Sequence, residues 1–477
     1  MKIKTGVRLL LVAALPVATQ AAEYSVTPFA SARVEADTNK RLTVLDSKTT
    51  FGTILEAGAL LNYATEETNI SATPRLAISK YSDDGTGFDQ DSEDYYFDLS
   101  GNHRFNERWS GGAFFNYSNV GVVSSELEDL GVVLGNSNIF SSGEIFAPEN
   151  FSRQTISIGP SLTYIFSEKD TFSLGASYTD AAYDRQDTAL SDYNSTSVNF
   201  SWTHQLNITD QLIATVFMLN QDSDLNFLVR NSVGPNPESL IDEYDQIGFT
   251  LGYVKNFSET LLGRVNVGMR QTDGKFPDLI DFDLNLSAES AALINPNTGL
   301  PIGAVINRSD PLLSDQNFLR SNPDFLKNSR TVNRVYQQGT VNKSGLIIDA
   351  SVEKQFETTT IVAGLSRSSL PSGRGLTERD EFYINGTHLF SDRLTGRGSF
   401  RYFSTQSESE ETLFTFGGRP TDQIRLEAGF DWLWTEFWTV SGGYTYSRRS
   451  AEGSDTADGH TIFLMIGYNG NKYAISR

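Results

Sequence analysis

The 477-residue chain contains no cysteine. That excludes disulfide scaffolds and thiolate metal sites, and it suits an oxidising cell envelope, where a stray thiol is a liability. Histidine is nearly absent as well. The four copies, His103, His204, His388 and His460, show no HExxH spacing and no acid-and-histidine cluster. A nucleophile elbow is missing too, since Gly159-Pro160-Ser161-Leu162-Thr163 lacks its second glycine. Catalysis and a bound cofactor are therefore not expected. Proline is scarce, 14 residues against 39 glycines. Beyond the N-terminus no apolar run approaches the length a membrane helix needs. Basic residues are outnumbered by acids, 38 to 59, and no basic, aromatic-interleaved stretch suggests a nucleic-acid partner.

What the chain does have is a turn that recurs. An apolar residue, a small polar residue and an acid precede a residue that starts the next segment, as in Phe105-Asn106-Glu107-Arg108-Trp109, Phe166-Ser167-Glu168-Lys169-Asp170 and Trp434-Thr435-Glu436-Phe437-Trp438. Further copies begin at Ala64, Leu206, Phe257, Phe356 and Phe390. Each is flanked by stretches of about ten or more residues that alternate apolar and polar, the period of a strand with two different faces. Between Ile424 and Trp434, for example, Leu426, Ala428, Phe430 and Trp432 share one face while Arg425, Glu427, Gly429 and Asp431 share the other.

Eight short turns join sixteen strands, and a terminal strand on each side makes eighteen. The expectation is an all-β, antiparallel up-and-down transmembrane barrel with short periplasmic turns and long external loops. A two-sheet sandwich also alternates, but it would carry Greek-key spacing and turns short on both ends. Aromatics at 12% supply interface girdles, and a mean hydropathy of −0.30 is compatible with strands of which only alternate residues meet lipid.

Residues 1–22 read as a secretory signal peptide, with basic Lys2, Lys4 and Arg8, the apolar run Leu9 to Leu15, and small residues near a cut at Ala21 or Ala22. The barrel then occupies 23–477, in the outer membrane of a Gram-negative cell. Losing three basic residues makes a chain of net charge −21 more negative still. The acids gather in loops, at Asp83, Asp84, Asp89, Asp91, Glu93 and Asp94 and at Glu408, Glu410 and Glu411. They either share divalent cations with anionic lipopolysaccharide or simply keep the surface solvated. The run Asp89 to Asp94 has spacing reminiscent of calcium loops but lacks the central glycine and distal glutamate.

Two external loops are long, about Gly121 to Asn150 and Gly274 to Gly339. The second carries Pro277, Pro296, Pro301, Pro311 and Pro323. It could fold inward as a plug or constriction, stay on the surface, or hide another hairpin and raise the count to twenty.

The face opposite the apolar one supplies the expected lumen. It holds Arg33, Arg75, Arg104, Arg264, Arg270, Arg397, Arg401, Arg425 and Arg449, together with Glu56, Asp98, Asp349, Glu353, Glu427 and Asp431. Arg397, Arg401, Arg425 and Arg449 come from three consecutive strands. They form either a stripe that passes anionic groups or a set neutralised by Glu427 and Asp431 across strands.

Leu389-Phe390-Ser391-Asp392-Arg393-Leu394-Thr395-Gly396, Tyr444-Thr445-Tyr446-Ser447-Arg448-Arg449 and the terminal Lys472 to Arg477 resemble the outer-membrane β-barrel porins found with exosortase-linked exopolysaccharide systems. The resemblance implies a role in production or export of a surface polysaccharide, with export components as partners beside membrane lipids, lipopolysaccharide and the barrel-insertion machinery. A general diffusion porin and a closed structural or adhesive barrel are the other expectations. Many barrels end on an aromatic residue, whereas this chain ends in Arg477. Either the last strand stops near Tyr468, or Tyr473 and Ile475 belong to it.

Overall fold

The computed structural model describes residues 22–40, 42, 49–82, 91–122, 151–184, 192–224, 242–285, 305–307, 330–372, 375–407, 421–451 and 456–476. The expected signal peptide lies outside this set, but for its last residue. Twenty strands form one antiparallel sheet. They are β1 (Glu23–Asp37), β2 (Thr50–Ala64), β3 (Thr68–Tyr81), β4 (Ser92–Arg104), β5 (Trp109–Val122), β6 (Phe151–Ile165), β7 (Asp170–Tyr183), β8 (Asp192–Gln205), β9 (Asp210–Asp224) and β10 (Asp242–Ser258). The rest are β11 (Leu261–Asn285), β12 (Val305–Asn307), β13 (Arg330–Gln355), β14 (Thr359–Ser372), β15 (Gly375–Ser391), β16 (Leu394–Ser407), β17 (Thr421–Leu433), β18 (Trp438–Ala451), β19 (Ala457–Asn469) and β20 (Tyr473–Ser476).

Each wall strand pairs with its chain neighbour, and β1 pairs with β2 on one side and with β19 and β20 on the other. The sheet is closed, which rules out the sandwich. Only β12, three residues at the tip of β11, stands apart from the wall, and β20 continues β19. Eighteen strands therefore build the barrel. Following the registers once around returns to β1 displaced by about 22 residues, which sets a strand tilt of about 40° and a backbone radius of roughly 17–18 Å.

All eight recurring turns close hairpins at one end. The small polar residue explains why. The side-chain oxygen of Asn106 accepts from the amides of Arg108 and Trp109, Ser167 from Lys169 and Asp170, and Asn207 from Thr209 and Asp210. Thr65, Ser391 and Thr435 repeat the pattern. Such side chains supply locally the bonds that a tight turn takes from its ladder. The apolar residue before them has its own task. Phe257 and Phe390 are bulged out of register, and their rings lie over Gly263 and Gly396, six residues on, as Phe105 does over Gly111.

The outer face carries Val34, Leu55, Leu174, Phe200, Met218, Leu251, Met269, Val352 and Leu464, among many large apolar side chains left exposed. An apolar belt of this extent does not stand in water. Near the turns it gives way to aromatics in contact, such as Trp109 stacked on Tyr164 at 4.4 Å and Trp438 against Tyr468 at 5.0 Å. Belt and girdle describe a bilayer-spanning barrel of the outer-membrane type.

The long loop differs from expectation. Residues 274–285 and 330–339 are strand, paired from Gly274↔Val341 to Asn285↔Arg330, so β11 and β13 run on as a ribbon. Pro277 is accommodated because β10 stops pairing at Lys275, leaving β11 with a free edge where a missing N–H costs little. Residues 286–304 and 308–329 lie outside the described set. The C-terminus is also clarified. After a one-residue bulge near Gly470, β20 resumes pairing with β1, and Tyr473 and Ile475 point outward with the belt.

Candidate functional site

The lumen wall is the candidate site, and strand pairing fixes which side chains reach it. Arg75, Arg104, Arg264, Arg270, Arg397, Arg401, Arg425 and Arg449 all lie on the inner face, opposite in phase to the belt. Their surroundings differ. Arg104 is exposed beside a periplasmic turn, and Arg264 and Arg397 are exposed near the same end. Arg270 is buried, its side chain 1% accessible, so it does not line an open path.

Most of the arginines are met by acids. Arg397 binds Asp431 at 2.8 Å, Arg425 binds Glu427 at 2.6 Å, and Arg75 lies 3.8 Å from Glu56. Arg401 departs from expectation. Its partner is Glu381 on β15, at 3.2 Å, which also holds Arg379 at 3.1 Å. Arg401 stands directly opposite Arg425 in the register, and two like charges so placed are tolerable when each has its own carboxylate. The result is a ladder of paired charges running from Arg379 down to Asp431, whose second oxygen accepts from Ser441 at 2.6 Å. Neutralisation and a stripe are thus not exclusive. Four arginines share three carboxylates, and Arg397 keeps 45% of its side chain in the lumen.

The sequence pattern did not reveal how the inner aromatics are seated. Phe29 faces Gly58, Phe114 faces Gly159, Phe217 faces Gly248, Tyr383 faces Gly364 and Phe463 faces Gly443 across adjacent strands. In every pair the ring occupies the space a Cβ would take; at Gly58 the gap to the Phe29 ring is 2.5 Å. A glycine opposite an aromatic on the polar face was the available signal. The ring lies flat on the wall with one face toward the lumen, and some faces carry a guanidinium. Arg33 sits 4.2 Å over Phe463, and Arg75 sits 3.9 Å over Tyr96.

Toward the external end the inner wall is covered. Val120, Ala181, Gln221, Tyr244, Thr272, Phe403 and Gln423 all point inward, and all are buried. Side chains as large as Tyr244 and Phe403 cannot be hidden by the wall alone, so chain lies over them. Two described segments contribute. After β1, Asn39 and Leu42 lie over the inner-face Gly459. Leu42 is buried with a left-handed φ of 45°, Lys40 binds Glu35 at 3.1 Å, and the Lys40 ammonium lies 3.5 Å over the Tyr81 ring. The second segment is the end of the β14–β15 hairpin. Its pairing to β13 stops at Ile348↔Arg367, and β15 then approaches β10, beyond β14, β13 and β11.

All four histidines face outward. His103 and His388 bond Thr68 and Thr359, each at 2.7 Å, and His204 bonds Asp170 at 2.8 Å in the girdle. Among the described residues no three potential ligands gather to hold a metal. In the calcium-like run, Asp89 and Gln90 lie outside the described residues, and the other acids diverge. Asp91 accepts from Lys80 and the Tyr81 amide, which hold its carboxyl below its ordinary pKa, while Asp94 accepts from the Gly121 amide.

No family model matches the sequence, and no curated protein does. Among solved structures it is similar to Acinetobacter baumannii OccAB4, with 10% identity, 95% of this chain and 99% of that chain covered, and a TM-score of 0.44. A BenF-like porin from Pseudomonas fluorescens Pf-5 gives 8% identity, 95% and 99% coverage and a TM-score of 0.44. The ferric yersiniabactin uptake receptor FyuA from Yersinia pestis gives 8%, with 93% and 80% covered, and 0.42.

Proposed function

We propose that the protein is an outer-membrane channel for small hydrophilic solutes, exported by its signal peptide and inserted with both termini periplasmic. The observation that carries this reading is the inner wall itself. It is polar, its arginines are paired with carboxylates, and it is open in its periplasmic half and narrowed in its external half. A solute entering the wide half meets Ser, Thr and Asn hydroxyls and amides, and then the ladder of paired charges. Arg397, Arg401 and Arg425 give it a preference for anions, because their carboxylate partners are only partly shielding. The test is single-channel recording in planar bilayers. Wild type conducts with a measurable anion preference, and Arg397→Ser/Arg401→Ser/Arg425→Ser reduces that preference. Absence of conductance from wild type and from this variant alike sinks the channel reading.

A second reading is passage of a surface polysaccharide. It is favoured by the flat faces of Phe29, Phe114, Phe217 and Tyr383, which suit the apolar faces of sugar rings. Deleting the gene would then abolish surface polysaccharide, whereas a small-solute channel would leave it in place.

A further inference from the structure

The covered half of the lumen contains one carboxylate that ties together strands not adjacent in the wall. Glu378, on β15, lies 3.0 Å from Arg270 of β11, 3.6 Å from Arg367 of β14 and 3.9 Å from Lys343 of β13. Arg270 and Lys343 belong to the inner wall. By phase Glu378 belongs to the outward series of β15, together with Phe382 and Ile384. An outward residue can reach the inner face of β11 and β13 in one way: the hairpin end has folded inside the barrel and laid its back against them. The early end of β13–β14 pairing and the approach of β15 to β10 say the same.

The seat for this contact is built. Arg270 stands opposite Gly345, and the space of a Cβ there is filled by its guanidinium, 2.6 Å away. A side chain at residue 345 would displace the guanidinium from its seat. Arg367 is also held by Asp380, two residues along the same face of β15. On its β16 side the hairpin stays in the ladder as far as Thr377↔Ser407, but on its β13 side pairing ends at Ile348↔Arg367 and charge takes over, and its cationic partners Lys343 and Arg367 keep 43% and 40% of their side chains accessible.

We propose that the β14–β15 hairpin end is a gate inside the pore, latched shut by Glu378, and that Glu378 occupies the place a solute carboxylate takes. The proposal rests on the channel reading and deepens it. An anionic solute reaching Lys343 and Arg367 competes with Glu378 for them, the β14 side of the hairpin swings off β11 and β13 while β15 stays paired to β16, and the passage widens. The solute class is small carboxylates.

The test is conductance in planar bilayers of the folded barrel, wild type against Glu378→Gln. Because the chain has no cysteine, Lys343→Cys/Glu378→Cys joined by a reducible thiol-to-thiol linker provides the second variant. The expected result is a several-fold higher conductance for Glu378→Gln. The tethered protein should conduct little and open on reduction, and millimolar acetate should widen wild type but leave Glu378→Gln unchanged. If wild type conducts and both variants match it, tethered or reduced, the latch is overturned and the channel stands. If no form conducts, the channel reading falls and takes the latch with it.

Discussion

The two halves of the lumen are lined by the same strands in the same alternation, yet they are solvated differently. Toward the periplasm the inner face is mostly half-exposed or exposed, as at Asn102, Thr163 and Arg264, with exceptions such as Ser25 and Ser441. Toward the outside Gln221 and Thr272 are both 0% accessible. A polar residue costs little in the first setting, because water satisfies it. In the second it must find partners in the protein, as Gln246 does with Thr272 at 3.1 Å. The wall pattern alone makes a uniform lining, and what is laid over it divides that lining in two.

The largest effect should come from uncompensating the covered half. Arg270→Ala leaves Glu378 facing its weaker partners and opens a void, and removing one member of a buried pair costs about 3–5 kcal/mol. Glu378 is partly accessible, so the low end of that range is expected, read as a shift in the urea midpoint. Next is Gly268→Ala, on the inner face between the halves. A Cβ there would collide with the backbone carbonyl of Phe249, which cannot swing aside as a ring can, so a loss of roughly 1–3 kcal/mol is expected.

In the open half Arg397→Ala removes a partly exposed pair. It should change stability by about 1 kcal/mol or less while altering ion selectivity. A large loss of stability there would erase the distinction between the halves. The smallest effect belongs to the external rim. Asp91 has a lowered pKa through Lys80 and the Tyr81 amide. Its contribution is present above the ordinary carboxylate value, near about 4, and is lost as pH falls through the lowered one. The protection of the Tyr81 amide relative to a free amide at the same pH should therefore fall only in that acidic window.

The wall was legible because its rules are local. Period-two alternation assigned Arg397, Arg425 and Arg449 to the inner face, and the recurring turns located the eight hairpins at the periplasmic end, since in most of them a small polar residue bonds amides only two and three positions on. The two-residue connection between Ser372 and Gly375 carries no such signal. The cover was not legible. Nothing near Glu378 in sequence marks it as inward-reaching, because its partners Arg270 and Lys343 lie on strands reached through a fold-back of the hairpin. Arg401 was assigned to the wrong acids for a simpler reason. β16 has a neighbour on each side, and Arg401 takes the carboxylate diagonal to it on β15, Glu381, rather than one on β17. Pro277 also misled, since a proline reads as loop unless one edge of its strand is known to be free.

The division of the lumen can be measured by thiol labelling in this cysteine-free chain. Single cysteines at Asn102, Thr163, Gln221 and Thr272 would be treated with a charged maleimide from the periplasmic side. The first two should react at nearly the rate of an exposed thiol and the last two about tenfold or more slowly, with Glu378→Gln raising the rate at Thr272. Equal rates at all four positions would show an undivided lumen and contradict the account.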